Sequence, residues 1–482
     1  MRTSVLAAAV LAIPLAGCAS SGEERAAAVR AGGDWTRFGY DAARHNAGPK
    51  RTGINANNVG RLRRQQVSLD GTVDSSPIYL RDVPVKGTRQ DVFIVTTSYG
   101  KTIAVSAVSG AVLWRYIPSR YRSWAGGEWI TQASPVASRN RRFVYAASPN
   151  GRIHKIRVAN GREVRSGRWP TLISRRPATE KIGTALNLSR GLVLATVGGH
   201  LGDAPPYQGH VVAINAKNGR IVRVWNALCS DRHRLLAPSR CPESGSAIWA
   251  RSGAVVIPGS RRLLVATGNG KWNGRIHWGD SVLMLSRNAG TLRQNWTPRD
   301  QSDLEASDVD LGSTAPAVLN AHYAVQGGKD GKLRLLDLRR MNGRRSAGPR
   351  TGGELQTVPA PGRDGVFSAP AVWRSGKRRL LFVSTDSGTA AWTLRNGRLR
   401  RQWRRGGAGT SPIVAGGLLY VYDPRGGGLR VYRPRSGRLV TTLPAGSGHW
   451  NSPIVTDGRI ALGEGDANEG QTSGVLDIYR RP

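Results

Sequence analysis

Five carboxylates stand within the stretch PRDQSDLEASDVDLG, Pro298 to Gly312: Asp300, Asp303, Glu305, Asp308 and Asp310. The whole chain has 31 acids against 71 Lys and Arg, a formal net charge of +40. An acidic run in so basic a sequence has three chemical uses. A carboxylate can take a substrate's proton as a general base. Grouped carboxylates can hold a hard cation such as Ca2+ through oxygen. Acids can also close turns in a solvated loop through hydrogen bonds to the backbone. Asp308 and Asp310 sit just ahead of Leu311-Gly312-Ser313 and leave the ligand and turn readings both open.

Other reactive side chains are sparse. Three cysteines occur, Cys18, Cys229 and Cys241, without a Cys-x-x-Cys pair or a Cys/His cluster. That excludes a zinc site of the usual spacing, and the absence of Cys-x-x-Cys-His excludes an attached haem. Cys229 and Cys241 flank a basic, Pro-containing stretch; outside the cytoplasm they form a disulfide, and otherwise they are two buried thiols. The eight His residues show no ligand spacing, and GGKDGK lacks the length and context of a phosphate loop.

The elements that position these groups are written as a repeat. Ser76-Pro77-Ile78, Ser134-Pro135-Val136, Ala315-Pro316-Ala317, Ala369-Pro370-Ala371, Ser411-Pro412-Ile413 and Ser452-Pro453-Ile454 share one phrase. Thr184-Ala185-Leu186 and Ser246-Ala247-Ile248 are weaker copies in the gap, making eight. Each precedes an apolar, β-branched run such as DVFIVTT or RLLFVST. A strand, a Gly turn and a second strand often ending in Trp follow, as in TIAVSAVSGAVLW and GTAAWTLRNGRLRRQW. Asn-Gly and Ser-Gly between alternating strands are hairpin signals. Four strands per repeat of about 40 to 60 residues is the signature of a propeller blade. The expected fold is all-β, an eight-bladed β-propeller. The last repeat supplies three strands, so GRLRRQQVSL near the N-terminus is expected to add the fourth and close the ring.

The N-terminal residues MRTSVLAAAVLAIPLAGCAS have a basic start, a short apolar stretch and small residues before Cys18. They read as a signal peptide, and Leu15-Ala16-Gly17-Cys18 resembles a bacterial lipobox. The expected organisation is a lipoprotein signal peptide over residues 1–17, a lipid-anchored flexible tether over 18–33 and the propeller over 34–482. Cys18 is the expected lipidation site and the chain an extracytoplasmic, membrane-anchored lipoprotein of the cell envelope. Only ten of the basic residues are Lys. Such a charge fits an anionic envelope polymer or lipid headgroups, or an arginine-rich composition spread over a solvated surface. No recognised nucleic-acid module is present, so nucleic acid is not an expected partner.

Taken together, the Trp-ending phrase, Asp34-Trp35-Thr36-Arg37-Phe38-Gly39, and Arg44, Asn46 and Asn57-Asn58-Val59 resemble the PQQ (pyrroloquinoline quinone) β-propellers, in their quinoprotein alcohol dehydrogenase-like form. The resemblance runs from about Asp34 to the end. It implies that Trp249 is the floor beneath the quinone, Asn269 of the Thr-Gly-Asn turn a calcium ligand, Asp303 the catalytic base and a metal ligand, and Lys329 a contact to the quinone oxygens. Ser302 departs from the family's Trp-Asp phrase. The family's calcium-binding Glu would fall where only His200 and Asp203 stand, and its adjacent Cys-Cys pair is missing. The implied function is a quinoprotein-type dehydrogenase oxidising an alcohol or sugar with PQQ and Ca2+ and passing electrons to a separate acceptor. The alternative is a non-catalytic scaffold for envelope proteins, like the outer-membrane assembly lipoproteins.

Overall fold

Each Ser/Ala-Pro phrase opens a blade. In six of the eight, the proline is followed at once by the innermost strand, starting at Ile78, Val136, Ala317, Ala371, Ile413 and Ile454. Proline has no N–H to lose there, which suits it to a strand's first residue. The computed structural model describes Met1 and residues 32–237, 240–343 and 350–482. The expected signal peptide beyond Met1, the expected lipidation site Cys18 and most of the expected tether lie outside the described residues.

The chain from Gly32 onward forms eight antiparallel sheets, one per repeat. We number these blades 1 to 8 in chain order. Blade 1 is typical: Ile78–Val85, Thr88–Thr96, Thr102–Ser106 and Val112–Tyr116 pair in sequence. Blade 3 carries one extra short strand, Glu180–Lys181, on Leu192–Gly199. Blade 8 consists of Ile454–Thr456, Arg459–Glu464 and Gly474–Arg480, with Arg63–Leu69 as its outermost strand. That N-terminal strand runs antiparallel to Gly474–Arg480, from Arg63 opposite Arg480 to Leu69 opposite Gly474. Arg64 ties the seam, pairing with Glu464 at 2.7 Å and with buried Asp477 at 2.8 Å. The one α-helix among the described residues is Gln301–Ala306. None of the described helices is long and apolar enough to cross a membrane.

The repeated Trp and Gly have a shared cause. Trp114, in the middle of the outer strand of blade 1, donates its indole N–H to Val158 O of blade 2 at 2.8 Å. A Cβ on Gly161 would lie 2.7 Å from that ring. Trp403 and Gly437 repeat the arrangement between blades 6 and 7, with Trp403 Nε1 to Pro434 O at 2.9 Å and 2.6 Å from ring to virtual Cβ. The glycine turn of one blade is thus the seat for the previous blade's indole, and both glycines also hold positive φ.

At the far end of the innermost strands, residues 33–52 run from blade to blade. Trp35 O, Thr36 O, Ala42 O, His45 O and Asn46 O accept from the N–H groups of Tyr79, Ala137, Val256, Val372 and Val414. Buried Arg44 gives its guanidinium to four carbonyls, Phe38, Ala185, Leu186 and Ser252, at 2.7–3.0 Å. In an antiparallel meander, the turn between second and third strands and the segment leading into the next blade fall at the same end. Those connections gather at the other mouth of the channel, and the chemistry-bearing residues are on them.

Candidate active site

A cavity of about 510 Å³ opens among these connections. Trp249, on the segment leading into blade 4, is half-buried in its wall. Its ring lies 5.7 Å from Trp450 and 6.2 Å from Phe367, and Phe367 and Trp450 stack at 5.9 Å and 14°. The cavity therefore has flat aromatic walls contributed by three blades.

Charged groups line the same space. Asn269 sits on the turn after strand Arg262–Ala266 of blade 4, and Lys329 on the corresponding turn of blade 5. Asp308 and Asp310 lie on the connection between those blades. Asn269 Nδ2 donates to Asp308 Oδ1 at 2.7 Å, and the Asn269 backbone N–H donates to Asp310 Oδ1 at 2.7 Å. Lys329 Nζ stands 2.5 Å from Asp310 Oδ2, 3.2 Å from Asp308 Oδ1 and 5.8 Å from the Trp249 ring centre. Burial alone would lower the Lys329 ammonium, but the carboxylates of Asp310 and Asp308 outweigh it and hold the group above its ordinary value. Asp203, from the blade 3 turn, also lines the cavity. Desolvation, with Asp310 and Asp308 facing it, pushes its carboxyl upward.

Local backbone chemistry makes this cluster fit. A Cβ on Gly268 would fall 1.9 Å from Asp310 Oδ1, so the close approach of that carboxylate requires glycine. Asp308 itself adopts φ +52°, a conformation Asp tolerates better than most residues. Asn269 Oδ1 is buried with no hydrogen-bond partner. An orphaned amide oxygen beside two carboxylates is a donor set for a hard cation, so the residues present fit a bound metal ion as well as a planar organic group.

The structure brings together three residues singled out in the sequence, Trp249, Asn269 and Lys329. Asp303 lies elsewhere. It is exposed on the helix Gln301–Ala306, whose buried side chains are Gln301 and Leu304. Residues three apart share a helix face, so the helix packs through 301 and 304 and turns 303 to solvent. The carboxylates that reach the cavity are Asp308 and Asp310, past the helix end, together with Asp203. Cys229 and Cys241 form a disulfide, Cα atoms 6.2 Å apart, on the connection from blade 3 to blade 4. Trp278 is buried in the core beside partly buried Trp272, and neither lines the cavity.

Several residues at or behind the cavity wall went unseen in the sequence: Gln132, Phe367 and Trp450, which line it, and buried Asp74 behind them. A signal for them exists. Each stands two residues ahead of its blade's Ser/Ala-Pro phrase, at Ser76, Ser134, Ala369 and Ser452. In blades 2, 6 and 8 that offset places a side chain on the cavity wall.

Residues 63–225 and 242–443 match the family described as outer membrane protein assembly factor BamB. Over 335 residues, 64% of the chain, the sequence is 26% identical to the quinohemoprotein alcohol dehydrogenase ADH IIB of Pseudomonas putida. That alignment spans 46% of the relative's length, so the chain matches less than half of it. The fold is similar to that of the quinohemoprotein alcohol dehydrogenase from Comamonas testosteroni, with TM-score 0.68, 15% identity, and 93% of this chain and 80% of that one covered. It is equally similar to a europium-containing methanol dehydrogenase, with TM-score 0.68, 16% identity, and 93% and 98% covered.

Proposed function

The chain belongs to the family described as outer membrane protein assembly factor BamB and is a quinoprotein-like propeller of PQQ repeats; on that premise we propose that it is a PQQ- and metal-dependent dehydrogenase of an alcohol or sugar. One observation carries the reading: the unpartnered Oδ1 of Asn269, whose N–H groups hold Asp308 and Asp310, two carboxylates that line a cavity walled by Trp249 and reached by Lys329.

Asn269, Asp308 and Asp310 would hold the cation, Ca2+ or, given the number of carboxylates and the europium-containing relative, a trivalent lanthanide. When bound, PQQ supplies a two-electron acceptor and the cation a Lewis acid. The chain's own residues do the rest. Trp249 offers an indole face on which a planar ring stacks. Lys329 balances negative charge on ring oxygens. Asp310 is buried with both oxygens engaged, by the Asn269 N–H and by Lys329, which makes it an anchor. Asp308 is exposed and, among the described residues, its Oδ2 has no protein partner, so it is the carboxylate free to take a substrate hydroxyl's proton. The base assignment therefore moves from Asp303 to Asp308. The lipobox-like Leu15 to Cys18 supports an extracytoplasmic location with a lipid anchor at Cys18, where electrons would pass to a separate acceptor.

Calorimetric titration of the signal-free protein with PQQ, with and without Ca2+ or Eu3+, tests this. Metal-dependent binding followed by alcohol-dependent dye reduction is expected, and Asp308→Asn should abolish turnover while PQQ still binds. A second reading, an envelope scaffold, is favoured by the family description and by the arginine-rich outer strand Arg398–Gly406 of blade 6. It predicts no PQQ binding under any metal condition.

A further inference from the structure

Three blades round the ring from Asp308 and Asp310, a second polar group faces the same cavity. His449, on the segment leading into blade 8, lines the cavity and stacks on Trp450 at 3.9 Å and 24°. Its Nδ1 lies 2.8 Å from Oδ2 of Asp74, whose side chain is wholly buried on the segment leading into blade 1. The same oxygen accepts from Gln132 Nε2 at 3.0 Å and from the Ala467 N–H at 3.2 Å. Burial would raise the Asp74 carboxyl, but His449 and Arg251 outweigh it and keep the group below its ordinary value. Asp74 is therefore a carboxylate with fixed orientation, and it holds His449 by Nδ1. Among the described residues, His449 Nε2 has no protein partner.

The other charges around this pair argue against a metal site, although Asp74, His449 and Asp466 lie close enough to ligate one. Arg251 is 3.5 Å from Asp74 Oδ1; burial holds the nearby Lys181 ammonium below its ordinary value, with Asp74 among the carboxylates opposing that fall. The Arg251 guanidinium already balances Asp74, and a divalent ion beside it would meet like-charge repulsion in a desolvated place. A carboxylate on Nδ1 instead fixes the imidazole tautomer and leaves Nε2 as a base, the arrangement used wherever histidine shuttles protons.

This assignment rests on the dehydrogenase reading. Oxidising an alcohol to a carbonyl releases two electrons and two protons overall once the electrons leave for an external one-electron acceptor. Asp308 can take one proton, and the second needs another carrier. We propose that His449, oriented by Asp74, is the second acid–base residue of the cavity, taking a proton through Nε2 from a hydroxyl of the molecule held against Trp450. In that step the ligand O–H bond breaks, its electron pair stays on oxygen, and the new Nε2–H leaves an imidazolium balanced by Asp74. No electron moves.

The test uses the full signal-free chain and the His449→Gln variant. PQQ affinity by calorimetry is expected to stay within about threefold of the wild type, while turnover falls by at least about tenfold and is partly restored by added imidazole. Nitrogen-15 NMR of the histidine rings, without PQQ, is expected to show His449 protonated on Nδ1, with that preference lost in Asp74→Asn. Unchanged turnover in His449→Gln, or loss without imidazole rescue, would overturn the assignment. So would a lost PQQ affinity, which would make His449 a wall residue, or a ring protonated on Nε2. A wild type that binds no PQQ would overturn the dehydrogenase reading, and this one with it. Intact wild-type turnover with a negative His449 result would remove this one alone.

Discussion

Asn269 gives its side-chain N–H to Asp308 at 2.7 Å while the carbonyl oxygen of the same amide is buried without a partner. Leaving such an acceptor unsatisfied costs about 1–3 kcal/mol, and a cation at Oδ1 would recover it. We expect Asn269→Ala to weaken Eu3+ binding by about tenfold or more, the equivalent of about 1.4 kcal/mol. Asn269→Asp, which keeps an oxygen there, should bind at least as well as the wild type. Tryptophan-sensitised europium luminescence reads both, and equal affinity in the alanine variant would exclude Oδ1 as a ligand.

Gly268 supplies a steric test of the same cluster. Any side chain at this position would put a carbon 1.9 Å from Asp310 Oδ1 and 3.2 Å from Trp249 Nε1. Asp310 cannot yield easily, since its oxygens are held by Asn269 N–H and Lys329. Gly268→Ala is expected to cost roughly 1–3 kcal/mol of stability through forced displacement and to lose most of its metal affinity. Thermal unfolding and the same luminescence titration check it. A variant with wild-type metal affinity would mean that Asp310 does not need its observed place.

The repeats made the blade count legible, because each Ser/Ala-Pro phrase is a local backbone requirement at a strand start. That Trp249, Asn269 and Lys329 would lie near one another was expected from the family resemblance, whose motifs fall on the turns and leading segments of blades 4 and 5. Asp303 against Asp308 and Asp310 was not legible. Spacing within an acidic run does not say which acids face inward, and here the answer lies in the phase of a six-residue helix packed through Gln301 and Leu304. The Asp74–His449 contact was hidden for another reason. The two residues are 375 apart in sequence and meet only because blades 8 and 1 are neighbours.

The blade 8 seam should show in the pH dependence of stability. Asp477 lies wholly buried between Arg64 and Glu464, and desolvation, with Glu464 sharing a hydrogen bond, pushes its carboxyl up to about 7. The folded chain then keeps a proton that the unfolded chain releases near the ordinary carboxyl value. Its contribution is fully present in acid and is lost as pH rises through about 7. Asp477→Asn keeps an oxygen for Arg64 and cannot ionise. It should flatten the fall in unfolding free energy between acid and neutral pH, by an amount on the order of 1–3 kcal/mol. Melting curves from pH 5 to pH 8 measure this, and a variant with an unchanged slope would mean that another group carries the proton.

Lys329 separates the two occupants that the cavity is built for. Its ammonium sits 2.5 Å from Asp310 and 3.2 Å from Asp308, so without a metal ion it neutralises the carboxylates that would bind one. A cation entering the cluster must compete with that charge, whereas an anionic ring lying on Trp249 would be drawn to it. Lys329→Met keeps the length of the stem and removes the charge. Metal affinity measured alone is expected to rise by about threefold or more, since one competing cation is gone. PQQ affinity is expected to fall by about tenfold, the loss of a charge-assisted contact of about 1.5–3 kcal/mol tempered by solvent. Opposite movement of the two constants in one variant is the result a site for both groups requires. If both constants fell together, Lys329 would be a structural support of the acidic connection, and the charge argument for a quinone seated on Trp249 would fail.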